Sequence, residues 1–483
     1  MAHAVRIWTL ALCLTLLSAG IAFPQTSADV SPAATPTAAG VAYVYVGTTK
    51  GVYLYDAASN GKLTTVSGSP FRNTGLLVGS NGKYLFSLGT NWIHVYGVAS
   101  NGAMKPQVFT LNTQNFLGAN CGATGGAVLD HTGQNLYVLL NATGGPGVCA
   151  AYQTYNIAKS SGALTFNGAA VHDTSDPEQG AGFFAFTITG NDEFAYATNV
   201  FDPYIPGLSA LQRESSGTLD YVTFNEANPT PPSGAPYYFP FNLTADPTNH
   251  LAIALEIPGG DMQLGSFTVD EHGNISSTNT SANMPNPHVY PTAMNMSPSG
   301  KFLAVATDFA EPGLQVFHFN GANPITSFSG VLTTAPIYEI HWDNNDHLYA
   351  LSNSTNKLYA YTVTSSSITA VPGSPYTIAS TPNALVVVPT PACSAPSSNG
   401  VRICAPTSGS TISSPVLVEA FSTVTGTIAR MELWVDGEKK YTATSSKQLN
   451  TTISLEDGTH RFAVLAINTA GTKWESVMNA TVE

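Results

Sequence analysis

Short apolar stretches separated by polar turns recur through most of the chain. Each turn carries Asn-Gly, Ser-Gly or an equivalent polar pair and is followed by an apolar strand, at residues 80–86, 131–138, 189–196, 247–253, 298–305 and 343–350. Gly or Asn supplies the positive φ that a tight hairpin needs. The pattern therefore predicts at least six repeated β-units.

Each unit continues in the same order. The apolar strand is followed by a loop, an alternating strand such as residues 314–319, and a weaker final strand. Four antiparallel strands repeated around an axis form the blades of a β-propeller. We expect six complete blades at about residues 74–111, 124–171, 183–225, 239–282, 292–332 and 338–378.

A seventh blade is predicted from the two ends of this region. Residues 43–47, 52–56 and 63–66 supply three strands, and the apolar run at 383–389 supplies the fourth. Residues 61–71 and 367–376 are similar in sequence, which relates the first unit to the last. Closure of the ring in this way removes an open sheet edge.

A second, smaller domain follows the ring. We assign residues 41–390 to the propeller, 391–400 to a Pro- and Ser-rich linker and 401–483 to an immunoglobulin-like β-sandwich. About seven short strands in roughly 80 residues are typical of that sandwich. Alternation along its third strand predicts that Trp434 is a core residue. The fold class is thus all-β.

The first 40 residues predict export. Arg6 precedes an apolar run at 7–17 and a small-residue cluster at 18–22, the pattern of a signal peptide cleaved after Ala22. A membrane span needs roughly 20 apolar residues, so this run is too short to be one. Residues 23–40 are rich in Ala, Thr, Ser and Pro and predict a disordered tether. We expect a secreted, periplasmic or cell-surface protein with no membrane span after signal removal.

Composition narrows the possible partners. Seventeen basic and 30 acidic residues give a net charge of −13, with no basic cluster. Nucleic acid and anionic membranes are therefore excluded as partners. A closed ring also offers no edge that demands a second copy, so a monomer is expected.

Four cysteines remain once the signal peptide is removed: Cys121, Cys149, Cys393 and Cys404. An even number in an exported protein predicts two disulfides. Local pairing joins Cys121 to Cys149 and Cys393 to Cys404, although spacing leaves the other two connectivities open. No Cys-x-x-Cys pair indicates zinc.

The phrases SPSGKFLAVAT at 297–307 and LTTVSGSPF at 63–71 resemble the lactonase-like seven-bladed propellers, the family of a bacterial 6-phosphogluconolactonase and of carboxymuconate cyclase. They are also similar to the surface propellers named for a YVTN repeat. The resemblance covers about residues 41–390, and residues 401–483 resemble bacterial immunoglobulin-like modules. It implies lactone hydrolysis, for which members commonly carry Pro-His-x-His at a blade entrance. Here only Pro287 and His288 match, and Tyr290 stands where the second His would be.

Candidate site residues come from the loops at the channel mouth, where propellers place function. Lactone hydrolysis needs a base to activate water and a donor or cation for the oxyanion. The catalytic candidates are Arg72 for the oxyanion and His288, Glu178 and Glu339 as acid or base. The ligand-binding candidates are Trp92, Tyr237, Tyr238 and His172. We expect His341, one step inside a strand, to be structural.

Acidic residues follow the second strands, at Asp202, Glu256, Asp261, Asp308 and Glu311. Calcium prefers such oxygen ligands. No continuous calcium loop is present, so no cofactor is expected and a structural calcium ion is the alternative.

Two functions remain open from the sequence. One is an exported propeller that binds a carbohydrate, another small molecule or a surface protein. The alternative is a lactonase-like hydrolase that opens a sugar lactone.

Overall fold

The computed structural model describes residues 41–72, 75–89, 91–99, 101–113, 121–142, 151–171, 183–199, 207–226, 229–232, 234–258, 261–309, 311–389, 396, 398–406, 408–409, 411–412, 414 and 416–482. The predicted signal peptide, the tether and most of the linker lie outside these ranges. Within them, no helix is long and apolar enough to cross a bilayer.

The first part of the chain forms seven antiparallel sheets, six of four strands and one of five. The strands of the first three sheets are β1 (Ala42–Thr48), β2 (Gly51–Ala57), β3 (Leu63–Thr65); β4 (Leu76–Ser80), β5 (Tyr84–Gly89), β6 (Trp92–Val98), β7 (Met104–Asn112); and β8 (Cys121–Leu129), β9 (Asn135–Ala142), β10 (Ala151–Ile157), β11 (Leu164–Val171). The next two are β12 (Phe183–Ile188), β13 (Phe194–Asn199), β14 (Gly207–Arg213), β15 (Leu219–Glu226); and β16 (Phe239–Ala245), β17 (His250–Ile257), β18 (Asp261–Val269), β19 (Ile275–Ser276). The last are β20 (Ala293–Met296), β21 (Phe302–Thr307), β22 (Gly313–His318), β23 (Thr326–Ser327); and β24 (Glu339–Trp342), β25 (His347–Ser352), β26 (Lys357–Val363), β27 (Ile368–Ala370), β28 (Tyr376–Thr377), followed by β29 (Pro382–Pro389). We number the sheets in this order as blades 1 to 7.

The first and last strands of the propeller region complete blade 1, as the sequence predicts. Strand β29 pairs with β1 from Ala42 opposite Pro389 to Thr48 opposite Pro382. The first strands of neighbouring blades are also in contact. Strand β29 lies between β24 and β4, and β4 contacts β8. Further round the ring, β12 contacts β16, β16 contacts β20 and β20 contacts β24. These strands surround a common axis, so the seven sheets form a seven-bladed propeller.

The core of the propeller is divided among the seven junctions between neighbouring blades. Each junction holds its own buried apolar cluster. Between blades 7 and 1, for example, Tyr349 and Leu351 pack with Val44 and Val46. Because every blade contributes to two clusters, the ring is stabilised as one unit.

Glycines in the turns between the third and outer strands allow close contact between blades. Gly217 in blade 4 has φ +90°, and a Cβ at this position would clash with the side-chain amide of Asn135 in blade 3. Gly162 and Gly273 similarly face Tyr84 and Phe194 of the preceding blades. Only a residue without a side chain fits these turns.

We expect Gly217→Ala to lower the free energy of unfolding by about 2 kcal/mol or more, because a strained φ is combined with an overpacked contact. Gly82 is the matched control, since it has φ +82° and no atom within 4 Å of the position that a Cβ would occupy. Chemical denaturation of both variants measures the difference. Equal losses in the two would contradict a role for the blade contact.

Because successive strands of each blade run in opposite directions, their turns lie on two opposite faces of the ring. The turns from first to second strand and from third to outer strand lie on one side, here called the lower face. The turns from second to third strand and the connections between blades lie on the other, the upper face. The lower face is tied by polar contacts between blades, such as Arg213 Nη2 to Asp130 Oδ2 at 2.8 Å and His131 Nδ1 to Asp192 Oδ1 at 2.6 Å.

The C-terminal domain is a two-sheet sandwich with a separate apolar core. Its strands are β30 (Gly400–Ala405), β31 (Thr411–Ile412), β32 (Val416–Thr423), β33 (Ile428–Val435), β34 (Glu438–Thr444), β35 (Gln448–Ile453), β36 (Gly458–Asn468) and β37 (Lys473–Val482). One sheet has the order β30-β32-β35 and the other β31-β37-β36-β33-β34. The immunoglobulin-like architecture agrees with the prediction.

The prediction that Trp434 is a core residue is wrong. Met431, Leu433 and Val435 point into the sandwich, so alternation sends Trp434 to the outer face of its sheet. There its indole N–H donates to Glu432 Oε2 at 3.1 Å, and Lys439 Nζ lies 5.7 Å from the ring centroid. The indole thus belongs to a polar surface cluster.

Candidate functional site

The candidate residues that the structure describes lie in upper-face connections or at the upper ends of strands. Arg72 lies in the connection from blade 1 to blade 2, and Trp92 begins β6. Tyr237, Tyr238 and His288 precede the first strands of blades 5 and 6, and Glu339 begins β24. Glu178 and His172, between β11 and β12, lie outside the described residues.

Glu339 and His341 form a pair on the first strand of blade 7. Their side chains are two residues apart on one side of β24, and Glu339 Oε1 lies 3.2 Å from His341 Nε2. Glu339 Oε2 accepts a hydrogen bond of 2.8 Å from the backbone N–H of Leu385 in blade 1. The carboxylate therefore joins the first strands of two blades, and it orients the imidazole that we expected to be structural.

Arg72 and His288 are both exposed. The backbone N–H of His288 donates to Gln315 Oε1 at 2.9 Å, which fixes the main chain of this connection. The hydrogen bonds described for Glu339 lead to blade 7 and blade 1, and none of them joins it to Arg72 or His288. Arg72, His288 and Glu339 thus share a face of the ring, while their joint action with Glu178 stays a prediction.

The aromatic candidates differ in accessibility. Trp92 is 45% exposed and Tyr237 is half-buried. Tyr238 is only 1% exposed, and its hydroxyl donates to Gln263 Oε1 at 2.5 Å. Tyr238 is a core residue of the junction between blades 4 and 5 and has no face to offer a ligand.

Five side chains gather where blades 5 and 6 meet on the upper face: Tyr237, Phe239, Phe241, Glu256 and Tyr290. We call them the aromatic–carboxyl cluster. The rings of Tyr237 and Phe239 are 4.9 Å apart at 83°, and those of Phe241 and Tyr290 are 5.0 Å apart at 70°. All five side chains are half-buried. Edge-to-face pairs of this kind hold aromatic rings in fixed orientations.

Strand register explains the position of Glu256. It lies opposite Phe239 in the sheet, near the upper end of β17. Ala252 and Ala254 pack against blade 6, so alternation directs Glu256 to the same junction. Tyr290 approaches from the connection into blade 6 and donates to Glu256 Oε2 at 3.5 Å.

Burial raises the pKa of the Glu256 carboxyl above its ordinary value, and the hydrogen bond from Tyr290 partly opposes this shift. A carboxyl with a raised pKa, placed among aromatic rings on the upper face, is a candidate functional group. Sequence reasoning named Glu256 only as a possible calcium ligand and Tyr290 only as a departure from a motif. The available signal was a single acid near the end of the apolar strand 250–257.

The predicted metal ligands and disulfides are described only in part by the structure. Among the residues that the structure describes, no three His, Cys, Asp or Glu side chains are grouped to hold a metal ion. Asp202 lies outside those residues. Cys404 is disulfide-bonded, whereas Cys149 and Cys393 are not described, so the pairing of all four cysteines stays a prediction.

Comparison with known proteins gives different matches for the C-terminal domain and for the propeller. Residues 400–464 match the model of the bacterial Ig domain family. A sequence search of curated proteins found no match.

The propeller is similar to several solved structures. One, from Bacteroides uniformis ATCC 8492, is described as a putative 6-phosphogluconolactonase; it has 15% identity and a TM-score of 0.52, with 72% of this chain and 99% of that chain covered. A second, from Bacteroides fragilis NCTC 9343 and with the same description, has 14% identity and a TM-score of 0.50, with 73% and 100% covered. A protein from Lactobacillus plantarum has 14% identity and a TM-score of 0.52, with 72% and 98% covered. At such identities the likeness shows the fold alone, the all-β architecture that this chain shares with these structures.

Proposed function

We propose that the upper face of the propeller binds a sugar-like ring at the aromatic–carboxyl cluster. The observation that carries this proposal is the half-buried Glu256 among four aromatic rings held in edge-to-face pairs. Aromatic faces provide apolar contact for the C–H face of a ring, and a carboxyl with a phenol hydroxyl provides polar partners for its hydroxyls. Arg72 and Trp92 lie in the connection into blade 2 and in blade 2, so they are not part of this proposed site.

The chain enters and leaves the ring on the face opposite the cluster. Ala42 and Pro389 are paired at the lower face, where the N-terminal segment enters and the linker leaves. The immunoglobulin-like domain therefore follows from the face opposite the cluster. With the predicted signal peptide, this topology supports an exported protein in which the C-terminal domain acts as a spacer or surface contact.

Lactone hydrolysis is the second candidate, and the Glu256–Tyr290 contact favours it. A deprotonated Glu256 would take a proton from water, and the hydroxyl of Tyr290 would donate to the oxygen that becomes negatively charged. The description of the two Bacteroides proteins fits this reaction class. The Glu339–His341 pair offers a second carboxylate and imidazole for the same chemistry.

A pH-stat assay against a panel of lactones tests hydrolysis, and saturation-transfer NMR with the matching sugars tests binding. If the cluster is the site, we expect Tyr290→Phe and Tyr237→Ala to weaken ligand binding, while Arg72→Ala and His288→Ala have smaller effects. Binding with no hydrolysis would support the ligand-binding function and contradict lactone hydrolysis. Activity that depends on Arg72 and His288 but not on Tyr290 would place the site elsewhere.

A further inference from the structure

Three further carboxylates lie at the upper face of the two blades that form the aromatic–carboxyl cluster. Asp261 begins β18 opposite Ile257, one residue beyond Glu256. Asp308 and Glu311 lie in the turn between β21 and β22, next to Thr307, whose hydroxyl accepts a hydrogen bond from Thr292 near Tyr290. Asp261, Asp308 and Glu311 are exposed. The site is thus bordered by negative charge on both contributing blades.

Positive charge on the described part of the upper face lies elsewhere. The Lys and Arg residues of its turns and connections are Lys50 in blade 1, Arg72 after blade 1 and Lys357 in blade 7. The described upper-face turns and connections of blades 5 and 6 contain neither Lys nor Arg, and Lys301 of blade 6 lies in a lower-face turn. A ligand at the cluster therefore meets carboxylates without a nearby fixed cation from those segments.

Proteins most often neutralise a bound phosphate group with Arg or Lys side chains or with the N-terminus of a helix. The described segments around the cluster provide neither. A phosphate ester would instead bring about two negative charges toward carboxylates that are already present. A neutral ring avoids this repulsion.

From this distribution we infer that the cluster selects an unphosphorylated ring, either a neutral sugar or its lactone, and rejects the 6-phosphate of the same compound. The inference rests on the proposed function, since it concerns the same site. The selecting groups are Glu256, Asp261, Asp308 and Glu311. The exposed carboxylates act through the electrostatic field, whereas Glu256 lies within the contact surface itself.

Matched pairs of compounds test the inference on the full chain: glucose with glucose 6-phosphate, and glucono-δ-lactone with its 6-phosphate. Affinity is measured by NMR titration, with initial rates of ring opening for the lactones. We expect the phosphorylated member to bind at least about tenfold more weakly at low salt. Because salt screens exposed charges, the difference should shrink as ionic strength rises.

Charge reversal provides the second arm. Asp308→Lys should improve affinity for the phosphorylated member by roughly threefold to tenfold and leave the neutral member nearly unchanged. Glu271→Lys is the matched control, because it makes the same charge change at an exposed side chain in a lower-face turn. Circular dichroism is the check that both variants are folded.

The outcomes separate the two proposals. Failure of every compound to bind removes the proposed function and the inference with it. Equal affinity for both members of a pair, with no effect of Asp308→Lys, overturns the charge selection and leaves the binding function standing. Tighter binding of the phosphorylated member, or an equal gain from Glu271→Lys, also overturns the selection.

Discussion

We expect a chain that ends at Thr381 to lose the folded propeller, because the truncation removes β29. Ala384, Leu385, Val386 and Val388 are buried in the clusters on both sides of blade 1. Complete burial of a large aliphatic side chain contributes about 1.5–3 kcal/mol, so their removal approaches the whole stability of a typical domain. The cut also exposes the edge of β1.

A chain that ends at Pro389 is the matched control, since it lacks the C-terminal domain but keeps β29. It should remain folded, with a cooperative thermal transition followed by circular dichroism. The shorter chain should aggregate or show no cooperative transition. A stable, cooperative fold in the chain that ends at Thr381 would contradict the closure of the ring by β29.

The second large effect concerns Glu256. If this carboxyl is the base in lactone hydrolysis, Glu256→Gln should reduce kcat by about 10²-fold to 10⁴-fold, because the amide is similar in shape but cannot accept the proton. Glu339→Gln tests the alternative carboxylate on blade 7. A larger loss from Glu339→Gln than from Glu256→Gln would move the catalytic role to the Glu339–His341 pair.

The pH dependence follows from the direction of the shift at Glu256. Burial raises its pKa above the ordinary value of 4.5, so the protonated form persists to higher pH than in an exposed Glu. The basic form appears as pH rises through this raised pKa. We therefore expect the acidic limb of the rate profile to have its midpoint above pH 4.5, and Glu256→Gln to remove that limb. An unchanged limb in the variant would assign it to another group.

Much of the fold could be predicted because local and global signals agree. The polar turns fix the start of each second strand, and alternating apolar residues fill the junctions between blades. Even the closure by residues 383–389 was visible as a lone apolar strand after the last complete unit. Such agreement between turn chemistry and hydrophobic pattern is what specifies a single fold.

Side-chain direction was harder to predict. Trp434 and its apolar neighbours suggested a core position, but a shift of one residue sends a side chain to the opposite face of a strand. Tyr238, between two half-buried aromatic residues, is buried for the same reason. A run of aromatic residues in the sequence does not show which of them is buried and which is accessible to solvent.

For the candidate site, the sequence predicted the face of the propeller but not the residues that form the aromatic–carboxyl cluster. Its members come from β16, β17 and the connections into blades 5 and 6, and Glu256 and Tyr290 are 34 residues apart in the chain. No local sequence motif predicts the contact between Glu256 and Tyr290, because it depends on how two blades pack. The Glu339 contact with Leu385 is likewise set by the closure of the ring.

A crystal of the full chain soaked with glucono-δ-lactone tests the central claim most directly. The account predicts electron density for the sugar ring, or its opened product, in contact with Tyr237 or Tyr290 and with its hydroxyls near Glu256. Density beside Arg72, His288 or the Glu339–His341 pair, with the aromatic–carboxyl cluster empty, would contradict it.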